Sequence, residues 1–386
     1  MNEYPQIVSL PSVDTNVYCP EWWRRVYIEQ INDDYEHKPC CVYRGTLSDR
    51  ISDPNALYSA HNGSKQIIRF RQDNLNGVKN PGCGQCYETE SRGQTSSRQY
   101  KIMENGTSNV EVTSHLDLNL GNLCNLSCAV CGPWNSTSWA ASAPKELYYI
   151  EPHRRYRKQD RPAIDDPELF LSLKTIQLQG GEVFLEPNYL GFFQNLGKYR
   201  TYDDLSVTIF TNGTVRPSPE FMQILNQCGR VDIYFSIDDI EQRFEYQRNG
   251  ARWSEVASNI HWFRVSVKDS IHLHFNTTYS LLNVYYLADL HQRLTSEFPD
   301  MRINYSEFNN QPNSRAQFSA DQMTTNVRQI CLDRVADIPE LSFLAKYISI
   351  VEGDPYNKFK KYIQLYDGMI KKSYADTHPE FYQLII

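Results

Sequence analysis

Apolar and polar residues alternate along six short stretches of the chain, a period of two that is typical of β-strands. The first stretch, HLDLNL, begins at His115. Five further stretches lie at 174–179, 205–210, 231–236, 271–277 and 301–307. The intervals between them are long enough for one helix each, so the pattern predicts parallel strands joined by right-handed crossovers. We expect an α/β fold in which residues 111–310 form a partial (β/α)6 barrel, with functional side chains at the carboxyl ends of the strands.

The segments on either side of this region follow different patterns. Residues 1–110 are rich in cysteine and contain a short strand candidate at 26–29, and a polar linker lies at 92–113. From residue 311 onward the apolar period becomes helical, with an amphipathic stretch at 359–366. We expect an N-terminal module over 1–110 and a helical C-terminal extension over 311–386 that covers the open side of the barrel.

Composition narrows the class of protein. The 386 residues carry a formal net charge of −7, which argues against sequence-independent binding of nucleic acid. The chain has no apolar run long enough for a membrane span, and its first residues lack the basic and apolar regions of a signal peptide. We therefore expect a soluble, cytoplasmic protein without membrane contact. Its 10 cysteines then indicate metal binding, because the cytosol keeps thiols reduced.

Three cysteines follow the first predicted strand in a loop with the spacing C-x3-C-x2-C, namely Cys124, Cys128 and Cys131. Three thiolates can bind three irons of a four-iron cluster and leave the fourth iron without a protein ligand. A structural zinc site would need a fourth ligand nearby, and none follows this loop in the sequence. Three structural cysteines and a zinc loop remain as alternatives, and the spacing favours an iron–sulfur cluster over both.

A strand followed by this cysteine spacing resembles the radical S-adenosylmethionine (radical SAM) enzymes. The resemblance implies that the open iron is chelated by the amino and carboxylate groups of SAM. Reduction then cleaves SAM to a 5′-deoxyadenosyl radical, which abstracts hydrogen from a carbon of the substrate. The resemblance also implies a flavodoxin- or ferredoxin-like electron donor.

Motifs at the later strand ends resemble the SAM-binding motifs of the same family. Gly180-Gly181-Glu182 matches its Gly-Gly-Glu motif, in which the glycines let the backbone approach a ligand closely and the carboxylate pairs with the ammonium group of SAM. By the same resemblance, SAM-binding roles are implied for Thr211, Asn212, Ser236, Asp238, Arg248 and Asn276. An ordinary turn at Thr211-Asn212 and a surface ion pair at Arg248 remain alternatives.

The cysteines of the N-terminal module resemble those of the SPASM and twitch domains, which hold auxiliary clusters in this family. The match comprises a Cys-Pro-x-x-Trp run, a Cys-Cys pair at 40–41 and a Cys-x-x-Cys motif followed by Glu90 and Arg98. The resemblance implies a second four-iron cluster bound by Cys19, Cys41, Cys83 and Cys86. Cys40 could replace Cys41, and a structural zinc on the same residues remains the alternative. In most family members this module follows the barrel, whereas here it precedes it.

Family members with auxiliary clusters often modify peptides or proteins, so the resemblance implies a peptide or protein substrate. Cys331 is a conceivable hydrogen donor to a substrate radical, although a buried cysteine that acts as a small apolar residue is commoner. Two other classes of function remain. One is a radical SAM dehydrogenase or mutase that acts on a sugar or nucleoside. The other is a non-catalytic module that binds an iron–sulfur cluster or zinc, and the intact SAM-binding motifs argue against it.

Overall fold

Eight β-strands form the framework of the part of the chain that the structure describes. The computed structural model describes residues 13–31, 34–91, 93, 95–105, 113–142, 144–147, 163–307, 318, 323–348 and 356–386. Within these residues the strands are β1 (Arg25–Ile31), β2 (Asp34–Lys38), β3 (His115–Asn119), β4 (Thr175–Gln179), β5 (Ser206–Thr211), β6 (Arg230–Ser236), β7 (Ile271–Tyr279) and β8 (Arg302–Glu307).

Seventeen α-helices, several of them little more than one turn long, lie between and after the strands within the same described residues. They are α1 (Glu21–Arg24), α2 (Leu57–Gly63), α3 (Lys65–Leu75), α4 (Gly84–Ser91), α5 (Ser97–Asn105), α6 (Thr137–Ser142), α7 (Pro167–Ser172), α8 (Pro187–Leu196), α9 (Pro219–Leu225), α10 (Glu241–Gln247), α11 (Trp253–Ser266), α12 (Leu287–Glu297), α13 (Thr325–Val335), α14 (Leu344–Tyr347), α15 (Asn357–Ile370), α16 (Tyr374–Thr377) and α17 (Pro379–Ile385).

The six strands predicted from the alternating pattern are all present, as β3 to β8, and their bounds differ from the predicted ones by at most two residues. Helices separate them as expected, with α8 between β4 and β5 and α9 between β5 and β6. The pairs β3–β4, β4–β5 and β7–β8 are parallel, which agrees with crossover connections. The closure of these strands into a partial barrel stays a prediction.

Internal contacts divide the chain into two compact units, each assembled from three segments. Unit 1 comprises Met1–Gly121, Pro152–Ile209 and Pro219–Val231, and unit 2 comprises Asn122–Glu151, Phe210–Ser218 and Asp232–Ile386. Unit 1 therefore holds the N-terminal cysteines and the Gly-Gly-Glu motif, whereas unit 2 holds the C-x3-C-x2-C loop. The three-part organisation with boundaries after residues 110 and 310 stays a prediction.

In unit 1 the strands follow the order β2-β1-β3-β4-β5. β1 pairs with β2 in the antiparallel sense and with β3 in the parallel sense, where Tyr27 lies opposite Asp117. The short strand predicted at 26–29 is thus present within β1. Its pairing with β3 joins segments about 90 residues apart in the sequence, and the local pattern did not predict it.

The strands of unit 1 have one apolar face. It comprises Val26, Ile28, Leu116, Leu118, Ile176, Leu178, Val207 and Ile209, none of which is more than 2% exposed. The alternation in β3 is typical of a half-buried strand, but its polar residue Asp117 is completely buried as well. The carboxylate of Asp117 accepts hydrogen bonds from Nη1 of Arg25 at 3.1 and 3.2 Å. This charged partner allows β3 to be covered on both faces.

Unit 2 contains β7, β8, most of β6 and the helices from α10 onward. The amphipathic stretch predicted at 359–366 lies within α15, whose buried residues are Phe359, Tyr362, Ile363 and Tyr366. These side chains recur at three- and four-residue intervals, so they share one face of the helix. None of the described helices combines the length and apolar character that a membrane span requires.

Candidate functional site

The C-x3-C-x2-C loop lies directly after β3 and brings Cys124 and Cys131 within electrostatic range of Cys128. Cys128 is buried, and Cys124 and Cys131 are partly exposed. Burial raises the pKa of the Cys128 thiol, the guanidinium of Arg248 lowers it, and the charges of Cys131 and Cys124 raise it again. The backbone turns tightly between the last two cysteines, since Cys131 N donates to Cys128 O at 2.9 Å. The donor set therefore fits a group that binds thiolates and carries positive charge.

Arg248 forms a buried ion pair, with Nη2 2.7 Å from Oδ2 of Asp238. Burial lowers the pKa of Arg248, but the charges of Asp238, Cys128 and Cys131 raise it further, so the guanidinium stays charged. The other oxygen of Asp238 accepts a hydrogen bond from Thr278 N at 2.9 Å. The alternative of a surface ion pair is wrong, because both partners are less than 10% exposed. The structure thus places this pair beside the cysteine loop.

The Thr-Asn-Gly turn at the end of β5 contacts the first cysteine of the loop. Nδ2 of Asn212 lies 3.8 Å from Sγ of Cys124 and 3.1 Å from Oδ1 of Asn125. Thr211 stabilises the turn itself, since its Oγ1 accepts a hydrogen bond from Gly213 N at 3.1 Å. The segment is therefore both an ordinary turn and a neighbour of a candidate iron ligand.

The remaining predicted residues of unit 2 lie on neighbouring strands. Ser236 is the last residue of β6, and Asn276 lies on β7. Oδ1 of Asn276 accepts a hydrogen bond from Nδ2 of Asn304 at 2.9 Å, and its backbone carbonyl accepts one from Ile237 N at 3.1 Å. These contacts fix the orientation of Asn276 and leave its role toward SAM a prediction.

The Gly-Gly-Glu motif lies in unit 1, immediately after β4. Gly180 has a φ of +133°, and a Cβ there would stand 2.5 Å from Oδ1 of Asn119 and 2.6 Å from Gly121 O. Only glycine fits this position, and Gly181 N then donates to Gly121 O at 3.0 Å. Glu182 is 1% exposed, and its Oε1 accepts a hydrogen bond from Phe184 N at 3.2 Å. The motif holds a carboxylate in a fixed, water-poor place.

Three N-terminal cysteines share one apolar cluster in unit 1. Cys19 belongs to its core, and Cys40 and Cys83 pack against it. Burial raises the pKa of Cys19, as do the charges of Glu21, Cys83 and Cys86. Burial also raises the pKa of Cys40, and the charges of Cys41, Cys19 and Cys83 raise it further. Three thiols from three segments of the sequence therefore share one apolar cluster.

Cys41 differs from its neighbour Cys40 in what surrounds its thiol. Burial raises the pKa of Cys41 to about 12, and the next largest contributions come from the carboxylate of Asp117 and the guanidinium of Arg25. Cys40 thus packs with Cys19 and Cys83, and the expected ligand set with Cys41 stays a prediction.

Arg98 ties the two cysteine-bearing segments of this module together. Its Nη1 donates to Thr15 O at 2.6 Å and to Tyr18 O at 2.7 Å, next to Cys19. Its Nε and Nη2 form a two-point contact with the carboxylate of Glu90 at 3.0 and 2.5 Å. A backbone hydrogen bond from Arg98 also lowers the pKa of Cys86, which burial raises. Such a bidentate pair is directional and favours one geometry of the cysteine segments.

Among the described residues, no group of three or more His, Cys, Asp or Glu side chains has the geometry to hold one metal ion. In a four-iron cluster each thiolate binds a different iron, so its ligands stand farther apart than those of a single ion.

Two further cysteines lie away from these groups. Cys331 lies on α13 with no exposed surface, and burial raises the pKa of its thiol to about 12. Cys228 is buried in the connection between α9 and β6, where its Sγ lies 3.6 Å from Ile224 O. A hydrogen-donor role for Cys331 stays a prediction.

The sequence did not predict three aromatic residues that bind the backbone of the cysteine loop. They are Trp139 of α6 and Tyr362 and Tyr366 of α15. The only local signal was the apolar face of the stretch 359–366. Such a face predicts a buried helix but does not say which segment it packs against.

No family model and no curated protein matches this chain. Among solved structures, native anSMEcpe with bound AdoMet is similar at 15% identity and a TM-score of 0.41, over 61% of this chain and 63% of that chain. The chain thus spans less than two thirds of the length of that protein. Streptococcus suis SuiB bound to S-adenosylmethionine is similar at 14% identity and a TM-score of 0.41, over 85% of this chain and 73% of that chain. Similarity of this degree identifies no family, so the function must be argued from the residues of this chain.

Proposed function

We propose that this protein is a radical SAM enzyme. The observation that carries the proposal is the loop after β3, where three cysteines have C-x3-C-x2-C spacing and backbone hydrogen bonds from Ser127 and Ala129 join the loop to the residues on either side of the buried Arg248. Three thiolates suit a four-iron cluster with one open iron. When bound, the cluster and SAM supply an electron and a 5′-deoxyadenosyl radical that abstracts hydrogen from a substrate carbon.

The residues of this chain position those groups and exclude water. Cys124, Cys128 and Cys131 hold the cluster, and the charged Arg248 offsets the negative charge of the thiolates beside it. The carboxylate of Glu182 would bind the ammonium group of SAM through a charge-assisted hydrogen bond, which its burial would strengthen. The resemblance implies further SAM-binding roles for polar side chains at or near the ends of β5, β6 and β7; these are Thr211, Asn212, Ser236, Asp238 and Asn276.

The N-terminal cysteines bind an auxiliary four-iron cluster in the same proposal. The packing of Cys40 and Cys83 against the cluster that contains Cys19 supports the ligand set Cys19, Cys40, Cys83 and Cys86. Four thiolates would saturate the cluster, so it would carry electrons and not bind substrate. The substrate is a peptide or protein, by resemblance of this module to the SPASM and twitch domains, and a flavodoxin- or ferredoxin-like protein supplies the electron.

Iron content tests the two-cluster proposal. Anaerobically reconstituted protein should hold about eight irons, because three and four thiolates each complete the ligand set of one four-iron cluster. Changing Cys124, Cys128 and Cys131 together to Ala should leave about half of the iron and a brown protein that absorbs near ~400 nm. A colourless triple variant that carries one zinc would contradict the auxiliary cluster, since zinc has no such absorbance. A triple variant with full iron would contradict the SAM cluster.

A further inference from the structure

Three consecutive backbone carbonyls in the cysteine loop each accept a hydrogen bond from a buried aromatic side chain. Tyr366 Oη donates to Ser127 O at 2.7 Å, and Trp139 Nε1 donates to Cys128 O at 2.7 Å. Tyr362 Oη donates to Ala129 O at 2.6 Å. This segment lies outside helices and strands, so its buried carbonyls need donors from elsewhere.

The N–H groups of the same segment bind backbone carbonyls at, and just after, the end of α10. Ser127 N donates to Asn249 O at 2.9 Å, and Ala129 N donates to Gln247 O at 2.7 Å. These two acceptors flank Arg248, whose guanidinium acts on Cys128 and Cys131. Both the N–H groups and the carbonyls of this segment therefore have hydrogen-bond partners, and the two tyrosines bind two of its carbonyls.

The two tyrosines lie one turn apart on α15 and form a continuous aromatic stack with Trp139. The ring centroids of Tyr362 and Tyr366 are 5.7 Å apart, and those of Tyr366 and Trp139 are 6.1 Å apart. Burial raises the pKa of Tyr366 well above its usual value, so its hydroxyl stays a donor. This hydroxyl also lies 3.3 Å from Tyr246 O, which anchors the stack to α10.

We propose that Tyr362 and Tyr366 are positioning residues for the iron–sulfur cluster, so that α15 sets how firmly the loop retains its cluster and at what potential the cluster is reduced. The inference rests on the proposed function, because it requires a cluster at Cys124, Cys128 and Cys131. Hydrogen bonds around the first ligands of a metal orient them and tune its potential. Donation to Ser127 O also polarises the peptide group that it shares with Cys128 N–H, next to the buried thiolate.

Substitution by phenylalanine separates this role from packing, because it removes the hydroxyl and keeps the ring. Tyr374 provides a matched control in the same C-terminal region. It is completely buried, and its Oη donates to Leu282 O at 3.1 Å, a carbonyl outside the cysteine loop. Tyr374→Phe therefore removes a comparable hydrogen bond without releasing the loop.

The experiment measures iron loss from the reconstituted full-length protein to EDTA under anaerobic conditions. The phase that is missing in the Cys124, Cys128 and Cys131 triple variant reports the SAM cluster. Tyr362→Phe and Tyr366→Phe should each accelerate this phase about fivefold, because the net contribution of one ordinary hydrogen bond corresponds to about that factor. The two substitutions together should accelerate it about thirtyfold. The double variant should also shift the midpoint potential of this cluster, whereas Tyr374→Phe should change neither quantity.

The melting temperature of the metal-free protein decides between positioning and general destabilisation. Both the double variant and Tyr374→Phe should lower it, and only the former should accelerate iron loss. Equal acceleration by Tyr374→Phe, or a wild-type rate and potential in the double variant, would overturn the inference. If the double variant fails to fold, Tyr362→Phe alone gives the same comparison. Wild-type protein that takes up no iron at the loop would instead overturn the proposed function, and the inference with it.

Discussion

Glu182 is the single residue with the most specific proposed contact to SAM. Its carboxylate is buried, and Oε1 accepts a hydrogen bond from Phe184 N at 3.2 Å. Glu182→Gln keeps an oxygen for that bond and removes the charge that would bind the ammonium group. We expect the dissociation constant of SAM to rise about tenfold to a hundredfold, because a hydrogen bond to a charged group contributes ~1.5–3 kcal/mol. Iron content should not change.

Equilibrium binding of SAM to reconstituted protein checks this prediction. Glu186→Gln is the matched control, because Glu186 is also buried in the same connection and its Oε1 accepts from Asn188 N at 3.3 Å. The control should bind SAM with wild-type affinity. An unaltered dissociation constant in Glu182→Gln would place Glu182 outside the SAM site.

The adjacent residues Cys40 and Cys41 offer a second test at the same scale. Cys40→Ser should remove the auxiliary metal, because Cys40 packs with Cys19 and Cys83. Cys41→Ser should retain it, because the charged groups that act most strongly on the thiol of Cys41 are those of Asp117 and Arg25. Metal analysis of both variants in the background that lacks the three loop cysteines measures the difference. Loss of metal in Cys41→Ser but not in Cys40→Ser would restore the ligand set expected from the sequence.

The sequence cannot make this choice by itself. Cys40 and Cys41 lie in an irregular segment after β2, so no strand or helix period indicates which thiol points toward Cys83. The choice depends on tertiary packing, which leaves no local pattern in the sequence. Gly180 shows the opposite case, because the residue type alone indicated a place where backbone is closely approached. The structure supplies the reason, which is a positive φ and a space too small for a Cβ.

At the scale of secondary-structure elements, the local sequence pattern predicted the strands but not the long-range contacts between elements. The six strands from β3 to β8 were predicted because each alternates over a complete strand length. The pairing of β1 with β3 and the contact of α15 with the cysteine loop link residues about 90 and 230 apart in the chain. Such contacts leave no periodic signal, and only an apolar face indicates that a partner exists.

The attachment of the C-terminal helices to α10 predicts a pH dependence of stability. Burial raises the pKa of Asp239 to about 7, although Arg243 lowers it. Arg243 Nε lies 2.9 Å from Oδ1 of Asp239, and Nε2 of His378 lies 3.9 Å from Oδ2. The unfolded carboxyl ionises near pH ~3.9, so the folded state binds more protons between about pH 4 and 7. This contribution to stability is complete below pH ~4 and is lost as the pH rises through about 7.

Melting temperatures between pH 5 and 8 measure this effect in wild-type protein and in Asp239→Asn. Relative to Asp239→Asn, the wild-type protein should lose stability with rising pH, by at most about 1.4 kcal/mol per pH unit. The comparison between the two proteins is needed because buried histidines, such as His61 and His378, have lowered pKa values and contribute the opposite slope. Asp289→Asn is the control, because Asp289 also faces Arg243 at 3.5 Å but is 38% exposed at its side chain. The same slope in all three proteins would show that Asp239 ionises normally.

At the scale of the whole molecule, the proposed cofactor residues are distributed over both units. Unit 1 contributes the auxiliary cysteines and Glu182, and unit 2 contributes the cysteine loop with Asn212, Asp238 and Arg248. Each unit combines segments that are distant in sequence, so truncation after residue 110 would divide unit 1 and truncation after residue 310 would divide unit 2. Full-length protein is therefore the form in which the central claim has to be measured.

Release of 5′-deoxyadenosine tests that claim most directly. Anaerobically reconstituted protein is mixed with dithionite and SAM, and the products are separated and quantified. The proposed function predicts 5′-deoxyadenosine from the wild-type protein and none from the variant in which Cys124, Cys128 and Cys131 are all changed to Ala. Wild-type protein that holds its full iron and binds SAM without cleaving it would contradict the claim, as would continued release of 5′-deoxyadenosine from the triple variant.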